Sequence, residues 1–151
     1  MDDQEQQKIT ADEFLHKGII QSADEFHIVA EEQWEQAIEL QPESDEAIFE
    51  FRRLVRAALQ FYSRAYLALV LVETDDEQQL EEFLEIISEQ DDDLAEFFRQ
   101  NDAEAILDEE SQSNISQVFS VAEAIRTALL EQSTQLAATL PFRFARDSEA
   151  T

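Results

Sequence analysis

Two histidines each follow an acid at the interval that metal-binding helical bundles use. Glu13 precedes His16 by three residues, and Asp24 precedes His27 by three residues. On a helix each pair would present a carboxylate and an imidazole on one face, and di-iron bundles use this motif twice, on facing helices, with two further glutamates. Here the two pairs are eleven residues apart, with Gly18 between them as a predicted helix end. We therefore expect no metal and no other cofactor.

The arginines in the most apolar part of the chain form a second group of residues that could have a chemical role. Residues 48–70 contain four arginines and one acid, a local charge of +3, whereas the protein carries a net charge of −26. The four are Arg52, Arg53, Arg56 and Arg64. One interpretation is structural: they pair with glutamates of adjacent helices or reach the surface along their apolar stems.

The other interpretation of these arginines is a groove that binds an anion, an RNA phosphate or a protein partner. A planar guanidinium suits phosphate, and a groove can keep a local positive sign in an acidic protein. Arg143 and Arg146, with Phe142 and Phe144, are an aromatic and basic group that could complete the groove.

The composition argues against the commoner catalytic sites. The chain has no cysteine, which excludes thiolate nucleophiles, thiolate metal sites and disulfides. A single glycine cannot build a glycine-rich phosphate loop, and no serine stands in a recognisable arrangement with a histidine and an acid. We predict that the protein is not an enzyme.

The acidity limits the partners. With 36 acids against 10 basic residues, direct binding to nucleic acid or to an anionic membrane is not expected over most of the surface. Three explanations of the acidity remain open: solubility, including in a salty cytoplasm; an acidic docking face for a basic partner, including mimicry of nucleic acid; or a solvated surface without a role.

The elements that must position these residues are helices. One glycine and two prolines are too few for the turns of a β-sandwich, barrel or βαβ fold. We predict an all-α antiparallel bundle of about four main helices plus short ones, as a single domain over residues 1–151 with polar tails at 1–9 and 142–151. The first residues are acidic and polar, unlike a secretory signal, and the longest apolar run has eight residues, too few to span a bilayer. We expect a cytoplasmic protein.

Capping patterns predict where the helices begin. Thr10, Ser22 and Thr74 are each followed three residues later by glutamate. We expect a short helix that ends at Gly18, a second over residues 23–40, a central helix over residues 44–72 and another after Thr74. The second helix has an outer face of Glu31, Glu32, Glu35 and Glu39.

The central and later helices follow from the spacing of apolar residues. The central seam consists of Phe51, Val55, Ala58, Tyr62, Ala65, Leu69 and Val72, in steps of four and three. Residues 91–93 suit a turn and a new helix start, Asn101 caps a further turn, and residues 108–113 read as a loop. A last helix over residues 114–140 is expected to end at Pro141.

The end of the central helix is apolar almost all round, which predicts contact with a second copy of the chain. We expect a homodimer that uses a surface of this helix, because one helix cannot bury such an end in so small a bundle. The residues of this surface are Tyr62, Tyr66, Leu67 and Val70.

The central segment AALQFYSRAYLAL, residues 57–69, resembles the HEPN superfamily of small helical bundles. In that family an aromatic, alanine-rich helix packs centrally and often mediates dimerisation, and catalytic members cut RNA with an arginine followed four to six residues later by a histidine. No histidine follows His27 in this chain. The resemblance therefore implies a non-catalytic member with a partner or accessory role.

The sequence thus predicts a non-enzymatic, acidic helical-bundle protein that acts as an interaction or accessory module and forms a homodimer, with no membrane contact. One alternative is an acidic mimic of nucleic acid that binds a basic protein. The other is a helical enzyme, either metal-dependent or a degenerate nuclease.

Overall fold

The computed structural model describes the backbone of residues 3–40, 43–108 and 114–149, and the side chains of residues 17–40, 43–108 and 114–139. Over this part of the chain there are six helices and no strand, which confirms the all-α bundle. The helices are α1 (Asp3–Glu39), α2 (Asp45–Leu69), α3 (Leu80–Gln90), α4 (Asp92–Gln100), α5 (Ala103–Leu107) and α6 (Ile115–Glu149). None of the described helices combines the length and the apolar character needed to cross a bilayer.

Helices α1, α2 and α6 form the long framework of the bundle. At one end Phe119 of α6 lies 5.5 Å from Trp34 of α1 and 6.4 Å from Phe51 of α2, measured between ring centroids. At the other end the same helices meet at Ile19, Leu69 and Leu136. Helix α1 is therefore antiparallel to α2 and α6, while α2 and α6 run in the same direction because α3, α4 and α5 return the chain to the first end.

Helix α2 is the central element, as predicted. Six residues of its expected seam are buried: Phe51, Val55, Ala58, Tyr62, Ala65 and Leu69. The short helices add their apolar faces to the same core, chiefly through Phe83, Leu84, Ile87, Leu94, Phe98, Ile106 and Leu107. The apolar side of each short helix is thus buried against the three long helices and does not form a second core.

Two predicted helix starts are confirmed by their caps. The Ser44 hydroxyl accepts a hydrogen bond from the Ala47 amide, 3.1 Å away, and so begins α2. The Asp91 carboxylate accepts from the amides of Asp93 and Leu94 and begins α4. Each cap satisfies amides that the first helical turn leaves without a partner.

The predicted helix end at Gly18 is wrong. Helix α1 continues from Asp3 to Glu39, and no described glycine has a positive φ. Glycine permits the left-handed conformation of a helix cap but does not require it. Because Ile19 and Ala23 are buried on one face of α1 against α2, packing of the continuous helix outweighs the local stop signal.

Two predicted caps in the middle of the chain are also wrong. The Thr74 hydroxyl accepts from Arg64 instead of capping a helix, and the reciprocal cap forms one residue later, where Asp75 accepts from the Gln78 amide and the Gln78 side chain accepts from the Asp75 amide. Helix α3 then begins at Leu80. The Asn101 side chain donates to the Phe97 carbonyl at the end of α4, so it does not begin the next turn.

Pro141 does not end the last helix, which extends to Glu149. Proline removes one backbone donor and disturbs the preceding turn of the helix. A helix can nevertheless continue past a proline when the turns on both sides keep their hydrogen bonds. The backbone of the expected tails is helical from Asp3 and up to Glu149. Their side chains lie outside the described part of the chain.

Replacing Gly18 by alanine tests the continuity of α1. A Cβ atom at Gly18 would meet nothing within 4 Å, so alanine fits without strain. Alanine favours a helix interior over glycine by about 0.5–1 kcal/mol. We expect Gly18→Ala to raise the free energy of unfolding in urea by that amount. A loss of stability would show that α1 breaks at Gly18, as the sequence alone suggests.

Candidate docking surface

The three framework helices are joined by a hydrogen-bonded group of Glu31 in α1, Tyr62 in α2 and Arg126 in α6, here called the Arg126 cluster. The Tyr62 hydroxyl donates to Glu31 Oε1 at 2.6 Å and accepts from Arg126 Nε at 2.7 Å. One terminal nitrogen of Arg126 donates to both oxygens of Glu31, at 2.9 and 3.1 Å. The guanidinium also lies over the rings of Trp34 and Tyr62, 5.1 and 5.3 Å from their centroids.

The environment of the Arg126 cluster shifts the pKa values of Tyr62 and Arg126. Burial and the hydrogen bond to Glu31 raise the pKa of the Tyr62 phenol well above its usual value, although Arg126 opposes the shift. Burial alone would lower the pKa of Arg126, but the hydrogen bond to Tyr62 and the charge of Glu31 outweigh it and raise that pKa. The cluster therefore joins a neutral phenol to a charged guanidinium, which suits a structural tie and not proton transfer.

Arg64 attaches the loop between α2 and α3 to the framework. Its Nε donates to the Thr74 hydroxyl at 2.9 Å, and a terminal nitrogen pairs with Asp76 at 2.6 Å. The guanidinium lies over the Phe26 ring of α1, 4.5 Å from its centroid. Arg64 is 9% exposed although Asp76 reaches solvent, so the arginine holds the loop from inside.

Arg56 joins α2 to the short helices. It donates to the Leu107 carbonyl at the end of α5 and pairs with Glu81 of α3 at 2.9 Å. Burial would raise the pKa of the Glu81 carboxyl, but the hydrogen bond from Arg56 prevails and lowers that pKa. The predicted pairing of these arginines with acids of adjacent helices is confirmed for Arg56.

The predicted anion groove is brought together only in part. A pocket of about 400 Å³ beside α2 is lined by Arg52, Arg53 and Arg56, with Phe49, Gln60, Gln78 and Gln79. Arg64 points elsewhere, and the side chains of Arg143 and Arg146 lie outside the described residues. Arg53 and Arg56 already pair with Glu50 and Glu81, and the Asp76 carboxylate lines the pocket beside them. Binding of an external anion there stays a prediction.

Carboxylates are concentrated in residues 73–108, here called the acidic face, which comprises α3, α4, α5 and their connections. This quarter of the chain contains fifteen acids and one arginine, a net charge of −14. Thirteen of the fifteen acids are exposed. Its only basic residue, Arg99, pairs with Glu96 of the same helix. The charged side chains that the acidic face exposes are therefore almost all negative.

The predicted self-association surface is corrected by the structure. Tyr62 and Leu67 are fully buried, Tyr66 is 3% exposed and Val70 is partly buried against the same core. Helices α3 to α5 return across the bundle and help to bury the apolar end of α2, which the pattern of one helix could not reveal. These four residues are occupied within one copy of the chain and do not form a surface for a second.

The histidine pairs do not form a metal site in the described part of the chain. Both pairs belong to α1 and not to facing helices, and the side chains of Glu13 and His16 lie outside the described residues. No group of three or more histidines, aspartates or glutamates suited to hold a metal is found among the side chains the structure describes. His27 packs against Tyr62, with ring centroids 6.2 Å apart.

No protein-family model, curated protein or solved structure matches this chain. The resemblance to HEPN proteins therefore stays a prediction, and the functional argument rests on the geometry and charge of the chain itself.

The sequence pattern does not predict the role of Glu31 and Arg126, two members of the Arg126 cluster. The apolar spacing predicts Glu31 on the outer face of its helix, yet it is only partly exposed and accepts two hydrogen bonds from Arg126. Arg126 directly follows Ile125 in the apolar stripe of α6. That position, at the edge of a buried stripe, is the signal that could have identified it, because an arginine there must find an acid on a facing helix.

Removing Arg126 should loosen the framework. In Arg126→Ala the buried Tyr62 hydroxyl loses its donor and the Glu31 carboxylate keeps only the hydrogen bond from Tyr62, so we expect the free energy of unfolding to fall by about 2–3 kcal/mol. The matched control is Arg99→Ala, whose pair with Glu96 is exposed and should change stability by no more than about 0.5 kcal/mol. Equal losses in the two variants, measured by urea unfolding, would contradict the role of the cluster.

His27 should make stability depend on pH. Burial lowers the pKa of His27 below the ordinary histidine value of 6.5, although Asp24 and Glu31 oppose the shift. As the pH falls through 6.5, the unfolded chain binds the proton before the folded chain does, so the folded state loses stability. We expect His27→Gln to lose less stability than the wild type between about pH 7.5 and about pH 5.5. Identical losses in urea unfolding would show that His27 titrates normally.

Proposed function

We propose that the protein is a non-enzymatic interaction module that binds a basic protein partner through the acidic face. The observation that carries this proposal is the separation of charge in the fold. Arg56, Arg64 and Arg126 are held in the interior or at its edge by carboxylates of other elements, whereas thirteen acids of the acidic face are exposed. Three of the ten basic residues that could neutralise the surface are thus used to hold the bundle together.

A surface of this kind recruits a partner by long-range attraction. Exposed charges of one sign raise the rate of association with an oppositely charged protein and repel partners of like sign. Nucleic acid and anionic membranes are repelled by the same field. The acidic face therefore favours a protein with a cluster of lysines or arginines, and mimicry of nucleic acid is one form of this function.

The chemistry of the described residues gives less support to an enzyme. Three of the groups with shifted pKa values, Tyr62, Glu81 and Arg126, are engaged in hydrogen bonds that hold helices together. A catalytic group must instead reach a substrate with a pKa near the working pH. The metal-dependent and nuclease-like alternatives have no comparable observation in their favour.

Charge also bears on self-association. Two copies that each carry −26 repel one another, and the four apolar residues expected to join them are used within one copy. The partner we propose is therefore a different, basic protein. We propose the cytoplasm as the place of this interaction, since a chain without cysteine suits a reducing compartment.

Capture from the native lysate with matched charge variants tests the proposal. The first variant carries Glu82→Gln, Glu85→Gln and Glu89→Gln on α3, and the control carries Glu32→Gln, Glu35→Gln and Glu39→Gln on α1. All six glutamates are exposed, and each variant removes three negative charges. We expect the wild type and the control to retain a basic protein at about 0.05 M salt and release it at about 0.5 M salt, and the α3 variant to retain much less.

The result against this proposal is equally definite. Equal capture by the two variants would show that no particular face binds. Capture of no basic protein at low salt would remove the proposed function altogether.

A further inference from the structure

An apolar groove lies where α1 passes the end of α2, directly beside the start of the acidic face. It has a volume of about 520 Å³ and is open to solvent. Its apolar lining is supplied by Gly18, Ile19 and Phe26 of α1 and by Ala68, Leu71 and Val72 at the end of α2. The next lining residue, Glu73, is the first acid of the acidic face. The groove thus combines an apolar floor with a negatively charged edge.

Leu71 occupies a backbone position that is unfavourable for leucine. Its φ is 65°, in the left-handed region, where it closes α2 in a Schellman arrangement. In this arrangement the Leu71 amide donates to the Ala68 carbonyl at 3.1 Å and the Val72 amide donates to the Leu67 carbonyl at 2.9 Å. Glycine or asparagine is the usual residue at this position.

Burial of the Leu71 side chain contributes little free energy to offset this unfavourable backbone conformation. It is 63% exposed, so the backbone cost is not balanced by burial in the core. A strained residue that also exposes a large apolar group is a feature that binding would explain, because a partner could bury the side chain. The strained backbone of Leu71 and the apolar groove both indicate a binding site at the end of α2, and neither observation depends on the charge of the acidic face.

The loop beyond the groove is rigid and acidic. Arg64 holds it through Thr74 and Asp76, and the Asp75 carboxylate accepts hydrogen bonds from the amides of Glu77 and Gln78. Asp75, Asp76 and Glu77 are all exposed. A partner in the groove would therefore meet the Glu73 carboxylate at its edge, and the exposed carboxylates of Asp75, Asp76 and Glu77 follow directly in the chain.

We propose that this groove binds an amphipathic basic helix of the partner, with apolar side chains in the groove against Leu71 and Phe26 and with lysines or arginines against residues 73–77. This inference rests on the proposed function and names its binding site. Amphipathic helices commonly bind by laying their apolar face into a groove, and complementary charge at the rim fixes orientation and partner choice. A second copy of this chain is disfavoured as occupant by its own charge of −26.

Two designed peptides distinguish binding in the groove from non-specific electrostatic attraction to the exposed carboxylates. The first peptide has about 18 leucines and lysines arranged to give one apolar face of a helix, and the second has the same composition in scrambled order. Affinity for the full chain is measured by calorimetry at low salt. We expect the amphipathic peptide to bind at least about tenfold more tightly, because only its leucines can enter the groove together.

Two variants test opposite walls of the groove. Leu71→Asn keeps a residue that tolerates a positive φ but removes the apolar side chain, and Gly18→Leu fills the groove at a position with no atom within 4 Å of a new Cβ. Each should weaken binding of the amphipathic peptide about tenfold while leaving the thermal midpoint unchanged or raised. The matched controls, Ile38→Asn on exposed α1 surface outside the groove lining and Gly18→Ala, should bind as the wild type does.

The outcomes distinguish the two proposals. If both peptides bind equally, the groove variants change nothing and the α3 glutamine variant weakens binding, then the groove inference is wrong and the acidic face stands. If neither peptide binds at low salt, both the groove and the proposed function fail. Self-association through the groove would appear as a dimer in light scattering that Leu71→Asn abolishes, and it would overturn the choice of a basic partner.

Discussion

A guanidinium cannot give up its charge at any pH at which proteins fold, so an arginine in the interior must keep a carboxylate beside it. Three arginines in this chain meet that condition in three places. Arg126 joins α1, α2 and α6; Arg64 joins the loop after α2 to the α1 side of the bundle; and Arg56 joins α2 to α3 and α5. The long framework and the short helices are thus connected by charges as well as by apolar packing.

The same arrangement determines what remains at the surface. Three arginines lie in the interior or at its edge, whereas thirteen of the fifteen carboxylates in residues 73–108 are exposed. The loop that leads into this face is held by Arg64, and the same loop forms one edge of the apolar groove. One interior arginine therefore positions both the charged and the apolar part of the proposed docking site.

The sequence predicts the central helix well because the signals that define it, apolar spacing and capping residues, lie within or next to the helix itself. Steps of three and four between apolar residues identify the buried seam of α2, and the caps at Ser44 and Asp91 identify two helix starts. Arginines in the most apolar segment of a strongly acidic chain must have acidic partners, which also follows from the sequence. With 36 acids to choose from, the sequence cannot say which ones they are.

The errors concern features that packing decides. Gly18 and Pro141 only permit a helix to end, and both helices continue past them. Tyr66 and Leu67 look like an exposed apolar surface until α3 to α5 are placed across the bundle. The groove could not be predicted, because it depends on where α1 passes the end of α2 and on the backbone conformation of Leu71.

The most direct test of this charge separation is an NMR measurement of hydrogen exchange at the Nε–H groups of the arginine side chains. Slow exchange is predicted for Arg64 and Arg126, whose Nε–H groups donate to Thr74 and Tyr62, with cross-peaks from Arg126 to the rings of Trp34 and Tyr62. Fast exchange is predicted for Arg99, which is largely exposed. Uniformly fast exchange at all three sites would contradict the account, because it would place these arginines at the surface beside the carboxylates they are proposed to leave exposed.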